Sequence, residues 1–210
     1  MRAPAPRASA ISPADLHRSR TALPGWPLAW TLAVGLLLAA APAHSELRFS
    51  DRPEVFLNDY DLTVQVVLLG AVPPSFHESL KSGVPTHIRF YIELWQHSRF
   101  WINQRLQARL VERQLTYNVV TKEYKVVSTQ GEQREPYVTK DLREAQRVAS
   151  EIRGFKLGPA TALDPGELYY VRARADVSVG GVNSFLTRLT GDAEETPWVP
   201  STLLTPTRSQ

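Results

Sequence analysis

Cysteine is absent from this chain of 210 residues. Its absence excludes disulfide bonds, a lipid-modified N-terminal cysteine and a cysteine nucleophile. The folded part of the chain must therefore be stabilised by a packed core alone, and its length suits a single domain of ordinary size.

Catalytic motifs are also missing. No Gly-x-Ser-x-Gly elbow occurs, so a serine hydrolase of that type is not indicated. His87 and His97 share one face of a predicted strand, but ten residues of strand span about 33 Å. A single metal ion needs its ligands within about 2 Å, so these two histidines cannot share one. We therefore predict no catalytic residue, no metal site and no cofactor, and a protein that is not an enzyme.

One long apolar run, residues 28–43, dominates the N-terminal part of the chain. Four arginines precede it, and small residues at Ala43 and Ser45 follow it, as in a secretory signal peptide. An uncleaved membrane anchor is the alternative, but it needs about 20 apolar residues, and Pro27 and Pro42 leave fewer. In both cases the basic flank stays inside and the domain is exported. We predict a periplasmic location, or the periplasmic face of the inner membrane, with membrane contact only through an uncleaved leader.

The basic charge of the chain belongs mostly to this leader, residues 1–45. The whole sequence has 24 Lys and Arg against 21 Asp and Glu, a formal net charge of +3. Without the leader the two classes are equal in number. A nucleic-acid partner requires a basic footprint, so none is predicted.

Residues 46–200 are predicted to form one mainly β domain, followed by a disordered tail over 201–210. Alternating or β-branched segments predict strands at 62–69, 86–98, 115–118, 124–127, 167–179 and 184–189. Periodicity leaves 100–114 open between strand and helix. Amphipathic strands of this kind, with two short helices, predict an antiparallel β-sandwich of immunoglobulin-like or C2-like type.

Local signals set the expected limits of the two helices. Ser75 and Glu78 have the spacing of a capping box, and Gly83 suits the left-handed position after the first helix. Thr139 is the expected N-cap of the second helix and Gly154 its end.

The strand at 86–98 carries the candidate functional surface. Its apolar residues alternate with polar and aromatic ones, and a second polar row follows on the strand at 167–179. The candidate binding residues are Arg89, Tyr91, Glu93, Trp95, His97, Arg172 and Arg174, with Arg105 and Arg109 expected on neighbouring strands. Arginine forks bind carboxylate or phosphate, and exposed Tyr and Trp are typical interface residues. The predicted partner is a protein or an anionic envelope component.

Two other interpretations of this surface stay open. The face could be an ordinary solvated one with cross-strand Arg–Glu pairs worth about 0.2–1 kcal/mol each. Glu93 could instead serve an envelope hydrolase, which would need a second carboxylate across a cleft. The corresponding functional alternatives are a purely structural module and an enzyme.

Several short segments, in their order and spacing, resemble one known family. They are Ser79 to Pro85, Phe90 to Trp95, Arg99 to Trp101, Tyr117 to Thr121, Tyr124, Glu144-Ala145, Tyr170 to Arg174 and Trp198. Over most of residues 46–200 the chain resembles the bacterial domain of unknown function 4390 family. The resemblance implies an exported protein with no established activity and no assigned catalytic residues, and it favours strand for 105–115. It also implies genes beside a membrane sensor kinase. From the leader, the neutral charge of the domain and the candidate surface, we predict a non-catalytic binding or accessory module, and the resemblance implies a link to such a sensor.

Overall fold

The alternating sequence segments form strands throughout the described part of the chain. The computed structural model describes residues 46–58, 60–180 and 193–206. Its strands are β1 (Arg48–Phe49), β2 (Glu54–Leu57), β3 (Asp61–Leu69), β4 (Thr86–His97), β5 (Gln104–Asn118), β6 (Glu123–Gln130), β7 (Tyr137–Thr139), β8 (Glu151–Pro159), β9 (Leu168–Val179), β10 (Ala193–Glu195) and β11 (Val199–Pro200). Its helices are α1 (His77–Lys81) and α2 (Leu142–Ser150), with 3₁₀ turns at Pro74–Phe76 and Ala160–Ala162. The leader and the predicted strand at 184–189 lie outside the described residues.

These strands form two antiparallel sheets. In the smaller sheet β3 is central, with β1 and β2 along one edge and β8 along the other. The larger sheet has the order β10-β9-β4-β5-β6-β7, and β11 also pairs with β9. The segment 100–114, which periodicity left open, belongs largely to β5, so the strand favoured by the family resemblance is confirmed.

The core lies between the two sheets. Alternate residues of β3, β4 and β9 are buried and belong to one cluster of apolar side chains. The inward residues of β4 are Ile88, Phe90, Ile92 and Leu94, as the period of two predicts. The predicted mainly β fold, an antiparallel sandwich with two short helices, is confirmed.

The first helix begins differently from the prediction. A 3₁₀ turn with Pro74 at its start precedes it, and no side-chain cap bond is made there, so the Ser75–Glu78 capping box was wrong. Gly83 does have a positive φ of 87°, in the left-handed region that terminates helices.

The second helix is shorter than predicted at both ends. Asp141, and not Thr139, is its N-cap, since the Asp141 carboxylate accepts a hydrogen bond from the Arg143 N–H at 2.9 Å. The helix ends at Ser150, and β8 follows it directly. Gly154, predicted as the helix end, has a φ of 60° at an irregularity in the pairing of β8 with β3. A glycine in that conformation is typical of a helix end and of a bulge alike, which is why β8 was missed.

The end of the described chain is paired with β9. The Ser201 N–H donates to the Val171 carbonyl at 2.7 Å, and Leu204 and Tyr169 exchange two backbone hydrogen bonds of 2.9 Å. Residues 201–206 therefore do not form the predicted disordered tail, and residues 207–210 lie outside the described part. Among the described residues, no helix has the length and apolar character needed to cross a membrane.

Candidate functional site

The register of β4 with β9 assembles most of the candidate surface on the outward face of the larger sheet. Arg89 pairs with Asp176, Tyr91 with Arg174, Glu93 with Arg172 and Trp95 with Tyr170. His97 lies at the end of β4, where it lines an open cleft. The structure thus places the predicted residues of β4 and β9 in one connected row.

A β-bulge decides which arginine of β5 joins this row. Leu94 pairs with Gln107 but Trp95 pairs with Arg105, so Leu106 is the extra residue. The bulge moves Arg105 to the outward face beside Trp95, as bulges commonly re-aim side chains. Arg109 pairs with the inward-facing Ile92 and lies on the other face. The expectation that both arginines join the candidate surface is therefore right for Arg105 and wrong for Arg109.

Glu93 is the centre of the row and is only 6% exposed. Its carboxylate accepts hydrogen bonds from Arg172 Nε at 2.6 Å, Trp95 Nε1 at 2.9 Å and Arg105 Nη1 at 2.9 Å. Burial alone raises the pKa of a carboxyl group. Here the bonds from Arg172, Trp95 and Arg105 outweigh burial and hold the pKa of Glu93 below its ordinary value.

Two arginines alternate with aromatic rings beside Glu93. The Arg172 guanidinium lies between the rings of Trp95 and Trp198, with its Cζ 4.3 Å and 4.4 Å from their centroids. Arg174 lies 4.7 Å from the Tyr91 centroid and 5.2 Å from that of Trp198. We call this set the arginine–aromatic ladder; its members are Tyr91, Trp95, Tyr170, Arg172, Arg174 and Trp198. Cation–π contacts of this kind contribute about 0.5–2 kcal/mol each.

The part of the row nearer the start of β4 is also paired. Arg89 Nε lies 3.0 Å from Asp176 Oδ2, and Arg89 Nη2 donates to Ser178 Oγ at 2.7 Å. Burial raises the pKa of Asp176, although Arg89 acts in the opposite direction. Burial and the Asp176 carboxylate both raise the pKa of Tyr91. His87 Nδ1 lies 3.0 Å from Glu112 Oε1.

Sequence reasoning missed the most exposed apolar segment of the described chain. Phe100, Trp101 and Ile102 are 90%, 86% and 93% exposed, and they connect β4 with β5. We call residues 98–103 the β4–β5 tip. Three consecutive apolar residues between Arg99 and Asn103 were a usable signal. The periodicity argument treated 100–114 as one strand or helix, and so it did not recognise these residues as the connection between two strands.

Side chains hold the β4–β5 tip in place. Ser98 Oγ accepts a hydrogen bond from the Trp101 N–H at 3.0 Å, and Asn103 Oδ1 accepts one from the Ser98 N–H at 3.0 Å. Asn103 Nδ2 also donates to Tyr170 Oη at 3.2 Å, which joins the tip to the arginine–aromatic ladder. The tip is thus braced from below while its apolar side chains face solvent.

An open cleft of about 660 Å³ lies at the base of the tip. Its lining includes His97, Arg99 and Gln104 from the hairpin, and Glu167 and Thr205 from the neighbouring segments. In the described residues, no group of three His, Asp or Glu side chains is arranged to hold a metal ion. Phe100, Trp101 and Ile102 of the tip line the same cleft, so it has an apolar side as well as a polar one.

A family comparison agrees with the sequence resemblance. The model of the family described as Domain of unknown function (DUF4390) matches residues 50–191. The chain belongs to the DUF4390 family. No curated protein and no solved structure matches it.

Within this DUF4390 protein, three of the segments that carried the resemblance lie at the candidate site. Phe90 to Trp95 and Tyr170 to Arg174 supply most of the ladder, and Arg99 to Trp101 supply half of the β4–β5 tip. The family match ends at residue 191, so Trp198, which completes the ladder, lies beyond it.

Proposed function

We propose that this DUF4390 protein is a non-catalytic binding module of the cell envelope, exported by the leader at 1–45 and accessory to an envelope assembly or membrane sensor. The observation that carries the proposal is the β4–β5 tip, where three consecutive apolar side chains are at least 86% exposed. Its contact surface is this tip, which includes Arg99, together with Arg105.

Exposure of Phe100, Trp101 and Ile102 supports a binding role because it has no benefit for folding. Transfer of one such side chain out of water is worth about 1.5–3 kcal/mol, and the fold leaves that free energy unused. Functional side chains are often placed on loops that a rigid scaffold positions. The ladder provides such a scaffold through the bond from Asn103 to Tyr170.

The arginine–aromatic ladder itself supports the non-catalytic part of the proposal. A general acid must hold and release a proton near neutral pH, which requires a raised carboxyl pKa. The pKa of Glu93 is lowered and its oxygens already accept three hydrogen bonds. These properties suit a structural anion and disfavour the envelope hydrolase.

Site-specific crosslinking tests the proposal. Because the sequence has no cysteine, one introduced cysteine is the single thiol that can be labelled. Ile102→Cys places one thiol on the tip, and Val120→Cys places one on the β5–β6 turn, where Val120 is 89% exposed. The full chain with Ile102→Cys is expressed in cells, and its thiol receives a photoreactive label. This label is expected to give a discrete crosslinked product in the envelope fraction. The label at position 120 is the matched control and is expected to give none.

Two results would contradict the proposal. Equal crosslinking at positions 102 and 120 would mean that the tip has no special contact. Recovery of the full-length chain from the cytoplasm, by N-terminal sequencing of fractionated cells, would remove the envelope assignment. A purely structural module predicts the first of these results.

A further inference from the structure

We infer that the β4–β5 tip inserts into the headgroup region of an anionic lipid bilayer; this inference rests on the proposed binding function and names its partner. The tip has the residue types that favour a membrane interface. Trp and Phe have an apolar body that enters the boundary between headgroups and acyl chains, and Trp101 retains an N–H for the wet side.

The shape of the tip favours a bilayer over a protein partner. Phe100, Trp101 and Ile102 are consecutive and all highly exposed. The cleft that they help to line is open and otherwise mainly polar. A protein that received them would need a deep complementary pocket. A bilayer surface accepts a convex apolar projection without shape matching.

The charges around the tip favour anionic headgroups. Arg99 precedes the apolar residues and Arg105 follows them, and the Arg105 side chain is 55% exposed. Only one guanidinium nitrogen of Arg105 is engaged by Glu93, at 2.9 Å, so others can donate to a phosphate. His97 and Glu167 also line the cleft at the base, and Glu167 is the acidic group there. The arginines next to the apolar residues are thus placed to meet phosphate groups as the tip enters.

Backbone pairing within the tip also suits insertion. Unpaired N–H groups are costly away from water. Two N–H groups of this segment, those of Ser98 and Trp101, already donate to Asn103 and Ser98 side chains. The turn therefore carries part of its hydrogen bonding with it into a less polar environment.

The inference can be tested with a polarity-sensitive dye on the full chain. Ile102→Cys and Val120→Cys each receive the same nitrobenzoxadiazole label, and both proteins are mixed with vesicles of phosphatidylcholine and phosphatidylglycerol that contain a nitroxide lipid. The label at 102 is expected to shift to the blue and to be quenched, whereas the label at 120 is not. Because both labels are on the full chain, any binding through the leader affects them equally.

Two further variants measure the contributions of the ring and the charge. Combined with the label at 102, Trp101→Ser is expected to raise the lipid concentration for half-maximal quenching about tenfold. Arg99→Gln is expected to raise it several-fold in anionic vesicles and to leave it unchanged in phosphatidylcholine alone, with the difference reduced at high salt.

The results separate this inference from the proposed function. Absence of quenching at 102, or equal quenching at 102 and 120, overturns the bilayer inference. If position 102 then still crosslinks to an envelope protein in cells, the binding function stands with a protein as the partner. If neither vesicle insertion nor a crosslink specific to 102 occurs, both are wrong.

Discussion

Arg113 and Glu93 are both charged and both buried, but they lie on opposite faces of the larger sheet. Arg113 is 1% exposed and faces the core, between Val111 and Leu115 on β5. Glu93 is 6% exposed and lies on the outward face. The two sites therefore show how a buried charge is stabilised on the inner face and on the outer face of the same sheet.

The partners of the two charges differ in kind. The Arg113 guanidinium donates to the carbonyls of Val148 and Glu151 at the end of α2, at 2.8 Å and 2.5 Å, and to Glu132 at 2.7 Å and 2.9 Å. A cation at that position satisfies carbonyls that a helix end leaves unpaired. Glu93 instead binds side chains that extend towards solvent. The inner charge joins main-chain elements, and the outer one organises a surface.

Removal of Arg113 is expected to have the largest effect on stability. Arg113→Met leaves Glu132 and the α2 carbonyls without their donor in a buried site. The loss of one partner of a buried ion pair lowers the free energy of unfolding by about 3–5 kcal/mol. The free energy of unfolding from urea titration measures the change. The control is Arg109→Met on the same face of β5, where the exposed side chain should change stability by about 0.5 kcal/mol or less. A similar cost in both variants would show that the α2 contact has no special importance.

Sequence reasoning did not predict the role of Arg113, and the reason is physical. Alternation correctly predicts that β4 and β9 bury every second residue, because one face of each strand is apolar along most of its length. In β5 the inward positions include Arg109 and Arg113 as well as Val111 and Leu115. A charge at such a position is stable only with carbonyls from α2 opposite it, and that contact comes from 35 residues further along the chain.

Substitution of Glu93 is expected to have the next largest effect. Glu93→Ala leaves the donors of Arg172, Arg105 and Trp95 without their acceptor, at a cost of about 1–3 kcal/mol, since Arg105 and Arg172 retain access to water. Glu93→Gln keeps one acceptor oxygen and should cost less. Urea titration measures stability, and near-ultraviolet circular dichroism should show the loss of fixed Trp95 and Trp198 rings. The exposed Glu135→Gln is the control. An unchanged aromatic spectrum in Glu93→Ala would mean that the ladder forms without its anion.

The acid dependence of stability sharpens the comparison on the outward face. Because the folded pKa of Glu93 is lowered from 4.5, its contribution is fully present above that pH and is lost as the pH falls through the folded pKa. Asp176 acts in the opposite direction, since burial raises its pKa and its contribution improves as the pH falls. The difference in unfolding free energy between wild type and Glu93→Gln should therefore shrink below about pH 4.5. A difference that stays constant to pH 3 or so would show that Glu93 does not titrate with folding.

The rest of the site depends on features that a single sequence encodes weakly. Strand periodicity placed the candidate residues of β4 and β9 on one face, which the register confirms. It could not separate Arg105 from Arg109, because the bulge at Leu106 reverses the alternation near the start of β5. It also could not bring Trp198 onto the ladder, because that contact depends on how the chain after β10 returns along β9. Local patterns thus predict faces, while bulges and returning segments complete the site.

The smallest effect on stability is expected at the β4–β5 tip. Trp101 is 86% exposed, so Trp101→Ser removes little buried surface and should change the unfolding free energy by about 0.5 kcal/mol or less. Val120→Ser on the β5–β6 turn is the matched control, with 89% exposure in the native side chain. The two variants should unfold alike in urea, although they differ in vesicle quenching. A loss of more than about 1 kcal/mol in Trp101→Ser alone would mean that the ring packs against the cleft in solution, as a stabilising part of the fold. Equal stability leaves contact with a partner as the reason for three apolar side chains at the end of a hairpin that Asn103 joins to the ladder.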